Sequence, residues 1–515
     1  MLKSAKGELG LFKIWMIFFS YTALVSLLIK SIILPYVFPA LYAGNGLAVG
    51  GDWIYFNSLA VELATKIKLL GWSAWQLRPG MIGQAPAGIA AAIYALTVPN
   101  SLMLIPLNSA LHATGALALV LIIKIFIPDL RKAVYCALPF LLFPSPMLWY
   151  TQLHKDGYAC AGILLFLLAW VTLSDNQVWE RLDRKLFFAL VNLILGAFLL
   201  WIVRPYEVRM MQGIAALFAI FLTVVFLFRA LRKKIGWLKF FLVVLLFWGS
   251  VIVISPFTRE SGNMHENIHR QVKLPEDIVT ESKLEQAFTS GKENISEAHV
   301  SAMNENHNKG YIHLNIRDKN GGSEHLNASV ANIPDHQVSN SVVKYPARRK
   351  KDNKIMVMIK TSLDSIAVVR VGSTSTYGKS GIDTNINFKS NRELIRYIPR
   401  AMQIVFLAPF PNQWFHSGAI PINTLMRRVS FLEMIIIYFG LFFSIFSIWY
   451  WKNRIELWMI VAFCSFMSLI YGLCIANVGT IYRIRYPFIT TMLALGLAGF
   501  VRIREIFAKN KKSGQ

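Results

Sequence analysis

The run Gln84-Ala85-Pro86-Ala87-Gly88-Ile89-Ala90-Ala91-Ala92-Ile93-Tyr94-Ala95-Leu96-Thr97-Val98 decides how this chain is threaded. It is apolar, yet it begins with Pro86, ends at Pro99-Asn100 and falls short of the ~20 residues that a helical bilayer crossing needs. If it does not cross, every later basic cluster falls on one side of a membrane. Those clusters are the turn of Asp129, Arg131 and Lys132, Trp179 to Lys185, Arg229 to Lys239, Lys452 with Arg454, and the Arg502 to Lys512 tail. Counting it as a crossing would invert them all, so the run reads as a juxtamembrane or re-entrant helix.

Composition demands the membrane. Of 515 residues, 55% are hydrophobic and 16% charged, with a mean hydropathy of +0.47. Apolar runs at about 11–39, 101–127, 134–150, 158–173, 186–203, 211–228, 240–257, 429–451, 457–476 and 488–501 predict an all-α polytopic membrane protein with about ten transmembrane helices. Lys3, Lys6 and Lys13 place the N-terminus in the cytoplasm, and about ten spans bring the C-terminus back there. The net charge of +25 lies in short clusters between apolar runs, so it reports topology and gives no sign of a nucleic-acid partner. The first apolar run is longer than a signal-peptide core, lacks a small-residue cleavage site and is expected to remain as a span. Cys136, Cys160, Cys464 and Cys474 all lie in apolar stretches without metal-ligand spacing and read as small buried hydrophobes.

Three parts follow: a seven-span module over 1–257, with its first external loop at 40–100; a large extracytoplasmic polar loop over 258–398; and a juxtamembrane segment with three further spans over 399–515. The polar loop holds 16 of the 28 acidic residues and seven of the ten histidines. Its first part is rich in Asn, His, Ser, Lys and Glu, which predicts weak order or a helical insertion. His265 and His269 stand at i, i+4, but solvated loop histidines are the better reading and no metal site is assigned. The sequons at Asn294 and Asn327 carry no weight. Ile355 to Arg370 has the Val, Ile and Met for a membrane-facing helix, and Arg392 to Trp414 reads as an amphipathic segment returning to the surface. No internal repeat is evident.

With acids so concentrated in the loop, an acid elsewhere stands out. Gly50-Gly51-Asp52-Trp53-Ile54-Tyr55-Phe56 puts Asp52 just beyond the outer end of the first span, where it opens a helix with apolar residues at Trp53, Phe56, Leu59, Ala60, Leu63, Ile67 and Leu70. The other outward turns are His154-Lys155-Asp156-Gly157, Arg204-Pro205-Tyr206-Glu207-Val208-Arg209 and Tyr482-Arg483-Ile484-Arg485-Tyr486-Pro487. They carry cations on the face where such charge is disfavoured. Lys155, Arg204, Arg209, Arg483 and Arg485 therefore suggest a phosphate head group, each weighed against snorkelling or a local pair such as Arg204 with Glu207. Asp52 alone suits a helix cap; beside outward cations it fits a general base, with Asp156 and Glu207 as competing carboxylates. His154 is assigned first to hydrogen-bonding a lipid phosphate and second to acid–base work.

This order of parts resembles the C-type glycosyltransferases, polytopic enzymes that use polyprenyl-phosphate-linked sugars, among them the protein O-mannosyltransferases and the lipid A aminoarabinose transferases. The likeness rests on a first span, an outward acid opening a juxtamembrane helix, a second such helix beginning Gln84-Ala85-Pro86-Ala87-Gly88, and a span ending in basic residues. It implies that Asp52 stands at the catalytic centre and that the seven spans before the loop are the shared module. No cofactor is fixed; a divalent cation stays open, because the first-loop motif carries one acid where some members carry two. The resemblance further implies a polyprenyl-phosphate-linked sugar as donor and a glycan, lipid or protein as acceptor, while His154-Lys155-Asp156-Gly157 and Pro409-Phe410-Pro411 resemble segments of bacterial membrane proteins of cell-envelope polysaccharide assembly, which implies a bacterial inner membrane. The alternatives are a polysaccharide polymerase or ligase using a pyrophosphate-linked oligosaccharide, and a lipid-linked saccharide flippase. A flippase should carry charges deep within several spans.

Overall fold

The computed structural model describes residues 2–79, 84–174, 184–232, 236–238, 240–245, 247–255, 381–383, 386, 388, 390–417 and 421–513, together with short strands between 295 and 366. The N-terminal helix α1 (Leu2–Leu28) continues through a wide π-helical stretch, Ile29–Val37, that contains Pro35. A hairpin follows, β1 (Tyr42–Gly44) and β2 (Leu47–Ala48), turned by Asn45-Gly46, both at positive φ. Asn-Gly suits this turn because both central residues must enter the left-handed region.

Then come α2 (Asp52–Leu70) and α3 (Ala85–Leu96). At 1.5 Å per residue, the 12 residues of α3 span only about 18 Å, too short to cross. In α2 the residues that sink into the protein are Trp53, Phe56, Ala60, Leu63, Ala64 and Ile67, a stripe at helical spacing, while Leu69 and Leu70 are exposed.

The bundle itself comprises α4 (Ile105–Lys124), α5 (Leu130–Leu142), α6 (Pro144–Thr151), α7 (Asp156–Ser174), α8 (Arg184–Val203), α9 (Pro205–Leu231), α10 (Phe240–Ser255), α11 (Asn391–Leu407), α12 (Pro421–Tyr450), α13 (Ile455–Cys474), the short α14 (Val478–Ile484) and α15 (Tyr486–Ser513). Among the described residues, eight helices are long and apolar enough to cross a membrane, and a ninth crossing results if α5 and α6, bent by 65° at Phe143, count as one broken span. The protein is a helical, multi-pass membrane protein. The apolar run at 240–257 appears as α10, shorter than the eight.

α7 is the axis of the bundle, with 89% of its spanning window buried, against 33% for α1. It meets α8 at Gly162 and Gly196, where a Cβ on either would fall within 3 Å of the other's carbonyl oxygen. Gly440 and Gly496 permit a similar approach of α12 and α15. Inside a bilayer, where burial of apolar surface drives little, such close backbone packing supplies the association. Cys136, Cys160 and Cys464 are buried and Cys474 partly so, all as free thiols.

The polar region departs from expectation. Residues 263–354 form a separate unit whose strands β3 (Ile295–Asn306), β4 (Lys309–Asp318), β5 (Ser323–Ala331) and β6 (Tyr345–Pro346) make an antiparallel sheet in the order β5-β4-β3-β6. The physical reason is a period of two: Ile312, Leu314 and Ile316 alternate with polar residues, and the register sets Leu314 against Val300 and Leu326. Composition alone does not register alternation. The helix expected over Ile355 to Arg370 is likewise corrected at Thr361–Ser362 and Ser365–Ile366, which pair as short strands β7 and β8, while its other residues lie outside those described. The amphipathic segment after 391 is α11, capped by the Ser390 hydroxyl, which accepts from the Glu393 N–H. Ahead of it, the 381–383 segment is tied to the turn before α14: Gly381 bridges Asn477, and the Ile382 N–H donates to the Ala476 carbonyl.

Candidate functional site

The site forms where α7, α9 and α15 begin and α8 and α13 end. Its floor is an ion-pair cluster. Arg204, in the turn between α8 and α9, pairs with Asp156 at the start of α7, and its Nη1 donates to Glu207 Oε1 at 2.9 Å. Tyr471 of α13 donates its hydroxyl to the same Glu207 oxygen at 2.6 Å. All of these side chains are buried, Glu207 completely. Burial opposes the charge on Arg204, but Glu207, Tyr206 and Asp156 outweigh it and hold the guanidinium well above its ordinary range. Arg204 is thus satisfied by two carboxylates from within the protein.

Above this floor stands His154. Its Nδ1 is 3.0 Å from Asp156 Oδ2, its Nε2 is 3.0 Å from Arg483 Nη1 and 3.9 Å from Asp52 Oδ2, and its ring packs against Trp53 and Phe56. Arg483 belongs to α14; its Nε lies 3.8 Å from Asp156 Oδ2. Lys155 reaches over the Phe56 ring at 5.5 Å. Burial and the nearby Arg204 charge push the Lys155 ammonium down from the usual lysine range, against the pull of Asp52 and Asp156.

Asp52 opens α2 directly after the N-cap, which is Gly51. In that first turn its negative charge faces the positive end of the helix dipole. Its side chain is 68% exposed, whereas that of Asp156 is 4% exposed. The loop that presents it is anchored from below. Trp53 Nε1 donates to the Ala48 carbonyl at 2.5 Å, Gln152 bonds both Ala48 and Gly46, and Asn108 of α4 holds the Gln152 carbonyl at 3.1 Å. Lys30, buried in the π-helical stretch, donates to the Ser101 hydroxyl at 2.8 Å and its carbonyl at 3.1 Å, and Ser101 in turn bonds the Asn45 carbonyl.

Of the residues singled out from sequence, Asp52, His154, Lys155, Asp156, Arg204, Glu207 and Arg483 thus come together. Arg485 goes elsewhere. It is buried, donates to the Val405 carbonyl and Met434 Sδ, and lies over the Tyr482 ring, in a cluster where Glu433 accepts from the Tyr482 hydroxyl and from the Ser145 N–H at 2.7 Å. Burial lowers the Arg485 guanidinium to about 10, although Tyr482, Tyr438 and Glu433 favour its charge. Arg209 is exposed on α9. Sequence reasoning missed Tyr471, Gln152, Asn108 and Ser101, single polar residues in apolar surroundings; Lys30, a lysine within a spanning run, was the one readable signal among these anchors.

The donor set around Asp52 does not fit a divalent cation. Asp156 is committed to Arg204 and His154, and Arg483 and Lys155 put positive charge where a metal would sit. Among the described residues, no three His, Cys, Asp or Glu side chains gather in a metal-holding group. Of the loop histidines, His265, His269, His307 and His336 lie outside the described residues.

Compared with known proteins, the chain finds no counterpart: no family model matches it, and neither a curated protein nor a solved structure does.

Proposed function

We propose that this protein is a glycosyltransferase that moves a sugar from a polyprenyl-phosphate-linked donor to a glycan, lipid or protein acceptor on the extracytoplasmic face of a bacterial plasma membrane. One observation carries the reading: Asp52 is an exposed carboxylate beside cations, whereas Asp156 and Glu207 are buried and neutralised by Arg204. An acceptor hydroxyl can approach Asp52 and cannot approach the other two. Its oxygen attacks the anomeric carbon while Asp52 takes the hydroxyl proton; the bond from that carbon to the phosphate oxygen breaks with inversion, and the lipid phosphate leaves. Lys155 and Arg483 stabilise the charge that grows on the phosphate, Arg483 with a guanidinium that is not fully spent on carboxylates.

The same reading sets the topology. Adding the bent α5–α6 pair and α10 to the eight long helices makes ten crossings, which returns the C-terminus to the cytoplasmic side where the N-terminus starts. The flippase alternative gains from Lys30 and Glu433, two charged-type residues buried within spanning helices. Both are bonded to fixed neighbours, which suits struts better than carriers.

Asp52→Asn tests the transferase reading. The amide keeps the helix-end preference and cannot take the proton, so transfer should fall by roughly 10²–10⁴-fold with expression and thermal midpoint unchanged. Undiminished transfer would reduce Asp52 to a helix-end residue. Mass spectrometry of a strain lacking the protein separates the alternatives. The transferase accumulates monophosphate-linked sugar on the outer leaflet, the polymerase accumulates oligosaccharide pyrophosphate, and the flippase strands its lipid on the inner leaflet.

A further inference from the structure

Two short contacts fix the state of the His154 ring. A guanidinium is always a donor, so Arg483 Nη1 at 3.0 Å requires Nε2 to accept. In the neutral ring the proton then sits on Nδ1, 3.0 Å from Asp156 Oδ2. The Asp156 N–H also approaches Nδ1, at 3.3 Å, but that longer contact would demand the opposite tautomer and set two donors against each other at Nε2. The assignment gives Asp156 Oδ2 a donor that it otherwise lacks among the described residues. The Nε2 lone pair therefore faces the open side of the site, towards Asp52 at 3.9 Å, and Arg483 covers it.

Arg483 is held by fewer contacts than Arg204. Its side chain is 22% exposed against 7%, and among the described residues it makes one hydrogen bond to His154 and a longer approach to Asp156. A phosphate offers a guanidinium two parallel charge-assisted bonds, far stronger than one bond to a neutral imidazole. We infer that Arg483 masks His154 until the donor's phosphate binds and draws Arg483 away, freeing His154 Nε2 to receive the acceptor's proton from Asp52.

This rests on the transferase reading and deepens it. The proton leaves the acceptor hydroxyl, passes through Asp52 to Nε2, and is held there as imidazolium over the Asp156 carboxylate. Loss of lipid phosphate lets Arg483 return, and the proton goes back through exposed Asp52 to water. The charged groups facing the ring are Asp52 on α2, Lys155 and Asp156 at the start of α7, Arg204 between α8 and α9, and Arg483 on α14. The arrangement ties this inner route to occupancy: His154 Nε2 can take the proton from Asp52 only once the phosphate has drawn Arg483 away, while without it exposed Asp52 exchanges with water alone. Asp156 is here a positioning residue, fixing which nitrogen carries the proton.

The test needs no knowledge of the sugar or the acceptor. Full-length protein with ¹⁵N-labelled histidine is placed in nanodiscs at mildly alkaline pH, and the His154 signals are assigned by their loss in His154→Asn. The empty protein should give a protonated Nδ1 and a hydrogen-bonded, unprotonated Nε2. Arg483→Gln should move the Nε2 resonance towards that of an unbonded ring nitrogen, and farnesyl phosphate added to the unaltered protein should move it the same way. A proton found on Nε2 in the empty protein, or no movement in Arg483→Gln, overturns the masking. Movement in the variant with no response to farnesyl phosphate upholds the His154–Arg483 pair and instead sinks the lipid-phosphate reading, and with it the coupling to donor binding. Asp156→Asn combined with Arg483→Gln supplies a control that a purely structural role would not predict: with no cation at Nε2 and an amide able to donate to Nδ1, the proton should also populate Nε2, while the thermal profile stays cooperative.

Discussion

The two ends of the helical bundle handle charge in opposite ways. Where α7 and α9 begin, Asp156, Arg204 and Glu207 are at most 7% exposed and each is bonded across helices. Roughly 30 Å away along α15, Lys132 meets Glu505 at 2.5 Å and Arg502 meets the same carboxylate at 2.7 Å, with side chains 27–41% exposed. Water solvates the second set whether or not the pairs form, so they serve mainly as topological markers. The first set is out of water, and every member depends on its partners. Such a buried network gives no assurance of extra stability over an apolar core, but it fixes geometry, and it fixes it directly beneath Asp52 and His154.

The largest effect should follow from removing the cation at the centre. Arg204→Met leaves two carboxylates facing each other out of water and should cost about 3–5 kcal/mol, read as a fall in the detergent-solubilised thermal midpoint. Combining it with Asp156→Asn and Glu207→Gln should restore most of that loss, because the uncompensated charge is then gone. If Arg204→Met alone is as stable as the parent, the contrast between the two ends collapses.

Next in size is Tyr471→Phe. It deletes a 2.6 Å hydrogen bond to a charged acceptor, one of the bonds that join the last three long helices to the first part of the bundle. A loss of about 1.5–3 kcal/mol is expected, with the Arg204 pairs intact. An unchanged midpoint would mean that this bond adds nothing measurable to the other contacts between the two halves, such as Ser145 with Glu433 and His154 with Arg483.

These couplings mark the limit of what the sequence discloses. The start of α2 and the shortness of α3 were legible because both depend on local signals, a stripe at helical spacing and a proline at each end. Asp52 stood out for a similar reason, being an acid where acids are rare. Tyr471 gives no such sign, since its partner is 264 residues away. Arg483 and Arg485 looked like a pair, but two residues apart on a helical turn their side chains diverge by about 200°, and one meets His154 while the other meets Val405. The sheet at 295–346 was missed because its alternation lies inside a polar stretch that composition averages away.

A smaller effect separates the exposed rim of the site from its floor. Lys155 is held below the ordinary lysine range, so folding sheds its proton in the interval between the lowered and the usual value. Stability contributed by this group therefore rises with pH through that interval. Phosphate binding should do the reverse. It needs the charged ammonium, so farnesyl phosphate affinity should weaken several-fold as pH rises, beginning below the range of a solvated lysine. Calorimetric titration across alkaline pH measures it, with Lys155→Arg expected to flatten the profile. A flat profile in the unaltered protein would take Lys155 out of the phosphate site.

The smallest effect belongs to the far end. Lys132 donates to the Glu505 carboxylate, but both side chains are partly exposed to solvent with Arg502 beside them. Lys132→Ala should leave the thermal midpoint where it was, and raising the salt concentration should not change that, since the exposed pair is already screened. What the lysine supplies is a positive charge at a turn, so its loss should be felt during insertion. Combined with Arg131→Ala, it should raise the fraction of chains in which a cysteine placed in that turn is labelled from outside intact cells. A clear drop in midpoint for Lys132→Ala would show that the pair bears structural load, and the division of labour between the two ends would have to be abandoned.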